Sequence, residues 1–119
     1  MNKFNAVTDT IIITSTDIES LASFYQRAFD LPEPNRQGDD HIGFPLGDIY
    51  FGFDRVEQPH QEYPGPVSLW FRVDDLSAAF DHCVEIGAKV KYPPSKKPWG
   101  DTLAALYDPD GNLIGLAQR

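Results

Sequence analysis

The sequence predicts an α+β fold of two βαβββ modules that together form a curved mixed sheet with a concave groove. Three observations carry this prediction. The segment from Thr10 to Ile18 is repeated half a chain later from Ser68 to Leu76, matching Ile11 with Leu69, Ile13 with Phe71, Asp17 with Asp75 and Ile18 with Leu76. Each copy passes from an apolar segment of strand length into an amphipathic helix. Each helix is followed by three short strand candidates, and the last two of the chain flank the turn Asp108-Pro109-Asp110-Gly111-Asn112, where proline presets φ and Gly or Asn accepts positive φ.

In the two opening segments alternate side chains must point to opposite faces. Asp17 and Asp75 then stand where a carboxylate accepts from the free N–H groups of a first helical turn. Leu21, Phe24, Tyr25, Ala28 and Phe29 follow at helical spacing, as do Leu76, Ala79, Phe80, Cys83 and Val84. Pro32 bars the first helix from continuing, and Gly87 is placed to end the second with positive φ. The strand candidates are Glu33 to Gln37, His41 to Phe44 and Ile49 to Phe53, then Ala88 to Tyr92, Thr102 to Tyr107 and Leu113 to Ala117. Residues 55–66 carry three prolines and read as a linker between a module at about 5–54 and another at about 67–119.

At 119 residues the chain is large enough for one domain, and its 41% hydrophobic and 24% charged residues are those of an ordinary soluble globular protein. No apolar run approaches the roughly 20 residues that span a bilayer. Residues 1–9 lack the basic start and apolar stretch of a secretion signal, so a cytoplasmic location is expected. Cys83 is the one cysteine and has no partner for an internal disulfide. A formal net charge of −8 opposes a phosphate backbone. The basic cluster Lys89, Lys91, Lys96 and Lys97 is broken by prolines, so neither a nucleic-acid nor a membrane partner is expected.

With Trp99-Gly100 before the turn and Leu113-Ile114-Gly115 after it, the C-terminal hairpin resembles that of the vicinal oxygen chelate superfamily, the glyoxalase/bleomycin resistance/dioxygenase fold. The resemblance runs from about Thr10 to Gln118. It implies metal ligands at inward positions on the first and last strands of each module. Carried over, these positions are Thr10, Ser68, Gly115 and either Phe51 or Gly52. Divalent transition metals need nitrogen, sulfur or carboxylate donors, and none stands there. No metal, cofactor or catalytic residue is therefore expected. Nor do other side chains replace the donors: His82 falls in mid-helix, His60 in the linker, and His41 follows Asp39 and Asp40 at a groove rim. Cys83 shares the apolar helix face and reads as a small buried hydrophobe. Asp108 and Asp110 are accounted for by the turn.

Alternation supplies the groove lining. If Leu69, Phe71 and Val73 face the helix, then Ser68, Trp70 and Arg72 face the groove, as do Thr10, Ile12 and Thr14. Trp99, between Pro98 and Gly100, resembles the tryptophan-glycine of antibiotic-binding members of the superfamily. Tyr50, Phe51 and Phe53 add rings from the central hairpin, and Asp48 and Asp101 add counter-charge. Aromatic walls bind planar or cationic ligands by stacking and attraction to ring faces. With 13% aromatic residues several of these rings fit a core equally well. Arg72 is either a carboxylate partner or a solvated charge at the open end of the sheet.

The expected function is that of a metal-free small-molecule-binding protein of the glyoxalase/bleomycin resistance type, holding a planar or cationic ligand, an antibiotic being one candidate. The alternatives are a metal-dependent lyase, isomerase or dioxygenase of the superfamily, a metal-free enzyme with Asp48, Asp101 or His41 as base, and a non-catalytic regulatory or interaction module. The resemblance also implies a homodimer.

Overall fold

The computed structural model describes residues 3–59 and 62–119, and the chain divides into two compact units, residues 1–59 and 60–119. The first contains β1 (Thr10–Ser15), α1 (Ile18–Phe29), β2 (Asn35–Gln37), β3 (His41–Leu46) and β4 (Ile49–Arg55). The second contains β5 (Leu69–Val73), α2 (Leu76–Glu85), β6 (Lys89–Lys96), β7 (Thr102–Tyr107) and β8 (Leu113–Gln118). Their four-stranded sheets run in the orders β1-β4-β3-β2 and β5-β8-β7-β6. In each, the opening strand pairs in parallel with the last and the remaining pairs are antiparallel. This is βαβββ written twice.

Both helices start as the sequence predicts. The Asp17 carboxylate accepts from the Ser20 N–H at 3.1 Å and that of Asp75 from the Ala78 N–H at 3.1 Å. The Ser20 hydrogen bond holds the Asp17 carboxyl below its ordinary pKa. α1 stops sooner than Pro32 requires, because Asp30 turns left-handed at φ 53°. Gly87 follows α2 with φ 110°. Gln118 ties the second unit together: its Oε1 accepts from the Leu76 N–H at 2.9 Å and its Nε2 donates to the Asp74 carbonyl at 2.6 Å.

α1 buries Leu21, Phe24 and Tyr25 over Ile42, Phe44, Phe51 and Phe53 of the first sheet. The Tyr25 ring stands edge-on to Phe51 at 5.1 Å between centroids and lies 5.6 Å from Phe53. Such pairs contribute about 1 kcal/mol each beyond the area they bury. α2 buries a narrower stripe, Leu76 and Cys83, on the sheet side that carries Ala104, Leu106, Ile114 and Leu116. Val84, expected on that stripe, is 40% exposed, since one residue past Cys83 is a turn of about 100° toward solvent.

β6 runs on through Pro93 and Pro94 to Lys96, beyond its expected end at Tyr92. It is an edge strand with register shifts on both sides of Tyr92, so the missing proline donors cost no ladder bond. In the β7–β8 turn the buried Asp108 carboxylate accepts from the backbone N–H groups of Asp110 and Asn112 and from the Asn112 side-chain amide, each at 2.9 Å. No helix among the described residues is long and apolar enough to cross a membrane.

Asp17→Ala and Asp75→Ala should each lower stability by about 1 kcal/mol, read as a fall in urea midpoint at unchanged slope. Because the folded pKa of Asp17 is depressed, its contribution is present above the ordinary value of 3.8. It is lost as pH falls through the folded value, so wild type and Asp17→Ala should converge in stability on acidification.

Candidate functional site

Opposite residues in paired strands point to the same side, so the register maps the face of each sheet turned away from its helix. In the second unit Trp70 lies opposite Gly115 and Arg72 opposite Ala117, while Ala105 continues the Gly115 row onto β7. The Trp70 indole covers Gly115, and a Cβ built there would fall within the ring. The indole N–H donates to the Ser68 hydroxyl at 3.0 Å. Tied at one edge and seated on bare backbone, the ring still leaves Trp70 46% exposed. It is a fixed aromatic platform. Arg72 is exposed two residues along the same face.

Trp99 is placed differently. It sits in the β6–β7 turn, 68% exposed, past the Arg72 end of the face as the register runs. Its indole N–H donates to the Asp101 carboxylate at 2.9 Å, and the Lys97 N–H donates to the Asp101 carbonyl at 2.7 Å. The Asp101 charge is thus engaged with Trp99 within the turn. Lys97 places its ammonium 4.0 Å from the centre of the Tyr92 ring.

On the corresponding face of the first sheet, Thr10 lies opposite Tyr50 and Ile12 opposite Gly52. Phe51 and Phe53 do not share this face. They are 1% and 0% exposed and pack under α1, because consecutive strand residues alternate and only Tyr50 of the three rings can point away from the helix. The ambiguity between Phe51 and Gly52 resolves to Gly52, which faces Ile12 as Gly115 faces Trp70. Thr10 is exposed and donates its hydroxyl proton to Asp9 at 2.7 Å. Asp48 is exposed in the β3–β4 turn.

The sequence places His41 after Asp39 and Asp40 at a groove rim. In the fold His41 lies opposite Asp54 across the β3–β4 hairpin. Its Nδ1 is 2.6 Å from Asp54 Oδ1 and its Nε2 is 2.7 Å from Tyr50 Oη. The His41 and Tyr50 rings are stacked, 13° apart in plane. Burial, and then the Asp54 charge, push the Tyr50 phenol above its ordinary pKa of 10.0, so it stays protonated. His82 is exposed near the end of α2, and His60 lies outside the described residues.

Thr10, Gly52, Ser68 and Gly115 offer hydroxyls or no side chain, Trp70 covers Gly115, and its N–H engages the Ser68 hydroxyl. They do not fit a divalent transition metal. Among the described residues no three His, Cys, Asp or Glu side chains gather as a metal site elsewhere. Cys83 is fully buried and its thiol is pushed up to about 11 by burial.

Residues 7–116 match the family model of the Glyoxalase/Bleomycin resistance protein/Dioxygenase superfamily. The chain belongs to that superfamily. It is 30% identical to a bleomycin resistance protein of Klebsiella pneumoniae, over 90% of this chain and 88% of the relative. It also resembles a bleomycin-binding protein solved in complex with bleomycin, at 27% identity, TM-score 0.69, and 97% and 99% coverage of the two chains. A glyoxalase-related enzyme from Fulvimarina pelagi shares the fold at TM-score 0.82 and 20% identity, covering 97% of this chain and 88% of its own. At Gly115, where the resemblance implies a metal ligand, the Trp70 ring lies over bare backbone.

Two measurements probe this description. In a Trp99→Phe background, Gly115→Ala should lift the Trp70 ring, moving its emission to longer wavelength and increasing its quenching by acrylamide, with a stability loss of about 1–3 kcal/mol from overpacking. Cys83 should resist a thiol reagent in the native protein near neutral pH and react at once on unfolding in denaturant.

Proposed function

We propose that this protein is a metal-free small-molecule-binding protein of the bleomycin resistance type, one that holds and sequesters a planar or cationic ligand. The observation that carries the reading is the Trp70 platform, an indole fixed over Gly115 with one surface left exposed. A pre-ordered ring gives up little freedom when a planar group stacks on it. The kinship with a bleomycin resistance protein and with a protein solved holding bleomycin supports this choice of ligand class. Each stacked ring contributes on the order of 1 kcal/mol, so affinity must accumulate from several contacts. Arg72 and Trp99 with Asp101 are the further contacts on this unit in this reading, Tyr50 and the exposed Asp48 are candidate contacts of the first unit taken by itself, and assembly as a cytoplasmic homodimer belongs to the reading.

The test is a titration with bleomycin followed by tryptophan fluorescence, on protein whose metal content has been measured. Saturable quenching is expected without stoichiometric metal. Trp70→Ala should weaken binding by about tenfold, equivalent to about 1.4 kcal/mol. A stoichiometric transition metal with turnover of a substrate would overturn the reading in favour of a lyase, isomerase or dioxygenase.

A further inference from the structure

Although the chain carries a formal net charge of −8, acids are missing from the part of the second sheet that surrounds Trp70. Followed across the register, the Trp70 row ends on β6 at Tyr92 and the Arg72 row at Ser95, with only glycine, alanine and leucine between. The next row beyond Trp70 ends at Lys89. These rows hold cations and no carboxylate.

Arg72 is the charge that stands beside the indole, and its head group is uncommitted. Arg36, Arg55 and Arg119 each pair with a carboxylate, that of Glu19, Asp40 and Asp74 respectively. Among the described residues the exposed Arg72 guanidinium has neither a hydrogen bond nor an ion pair. The acids that flank its end of the face are engaged elsewhere: Asp74, just after β5, with Arg119 at 2.6 Å, and Asp101, just before β7, with the Trp99 indole N–H at 2.9 Å. A guanidinium is permanently charged and donates only. What Arg72 lacks is an anionic acceptor.

Trp70 supplies the complementary half. Its N–H edge is turned to Ser68 and used there, so toward a ligand the indole offers a ring surface and no donor. Trp70 and Arg72 share one face of β5 as residues i and i+2, with Cα atoms roughly 7 Å apart, comparable with the length of one aromatic ring carrying a carboxylate. Gly115 and Ala117 lie opposite them, so no side chain longer than a methyl group rises from β8 beside either. The untied guanidinium can turn onto a group held over the ring.

We propose that this face binds a planar aromatic carboxylate, its ring stacked on Trp70 and its acid held by Arg72 through two parallel N–H···O bonds. The inference rests on the function proposed above in taking Trp70 as the surface on which the ligand stacks, and it goes further by assigning the sign of the charge beside that ring. A bare indole face favours a cation. Arg72 reverses that preference, because an ammonium at the same place meets a guanidinium with no acid in its row to offset it.

The experiment uses the whole ¹⁵N-labelled chain at about pH 7 and three probes of similar shape: 2-naphthoate, the neutral 2-naphthalenemethanol and 2-naphthylmethylammonium. Binding is followed at the Trp70 indole N–H and the Arg72 Nε–H signals. 2-Naphthoate should shift both saturably and bind at least about fivefold more tightly than the alcohol, a factor expected of one charge-assisted pair, with the ammonium weakest. In Arg72→Met the naphthoate-to-alcohol affinity ratio should fall by about that factor, and Arg72→Lys, which keeps the charge without the planar fork, should restore only part of it. Trp70→Ala should weaken naphthoate and alcohol alike. Both positions are exposed, and backbone amide signals unchanged elsewhere would show that each variant is folded.

The inference is overturned if the ammonium binds as tightly as the naphthoate, if the affinity ratio survives Arg72→Met, or if naphthoate leaves both signals unmoved. Bleomycin quenching the tryptophan fluorescence while 2-naphthoate stays unbound would remove this inference and leave the proposed function standing. Arg72-dependent naphthoate binding without bleomycin binding would uphold the inference and remove bleomycin from the proposed function.

Discussion

The contact between the Trp70 indole and the Gly115 backbone decides what the free face of the second sheet can be. A glycine within a strand costs roughly 0.5–1 kcal/mol of backbone entropy relative to alanine. Here the cost is offset by an indole that lies flat on the position, anchored through its N–H to Ser68. A glutamate at residue 115 would have to pass through the ring. A side chain at residue 115 and the Trp70 platform in this position therefore exclude each other. The first sheet repeats the device with a different cover, since Gly52 lies under Ile12, His41 and Tyr50.

Each sheet can spend its free face in this way because the opposite face carries the packing. In the first unit an aromatic cluster packs on the helix side beside Leu21 and Ile42, with Tyr25 in contact with Phe24, Phe51 and Phe53. In the second, small residues such as Ala104 and Cys83 fill the helix side, and polar ties take a larger share of the work. Gln118 pins the start of α2 to β8, and Asp108 satisfies three donors of the β7–β8 turn.

The internal repeat, the capping aspartates and the C-terminal hairpin were legible in the sequence because each rests on local chemistry: a period, a carboxylate, a turn. Trp70 and Arg72 were legible for the same reason, since alternation along one strand fixes their side. Assigning Tyr50, Phe51 and Phe53 to a single face broke that rule, and burial under α1 corrects two of the three. Two other features needed the hairpin register. The partners of His41 stand nine and thirteen residues away, and no local pattern joins them. The glycines could be read as turn or strand glycines, but the rings above them come from other strands. A glycine placed opposite a large side chain in a parallel pair was the available signal, and it becomes readable only once the pairing is known.

What remains on the two faces sets the kind of chemistry this protein can do by itself. The first face carries the hydrogen-bonded row Asp54, His41 and Tyr50, while the second offers an indole surface with a guanidinium two residues along. A metal ion would bind one ligand atom set strongly and permit bond making. A stacking surface instead selects by planarity, for a modest free energy. Selectivity of that kind depends on the groups being held in place before the ligand arrives. The Ser68 tie on Trp70, the Asp54 tie on His41 and the bare glycines beneath the rings are what hold those groups in place.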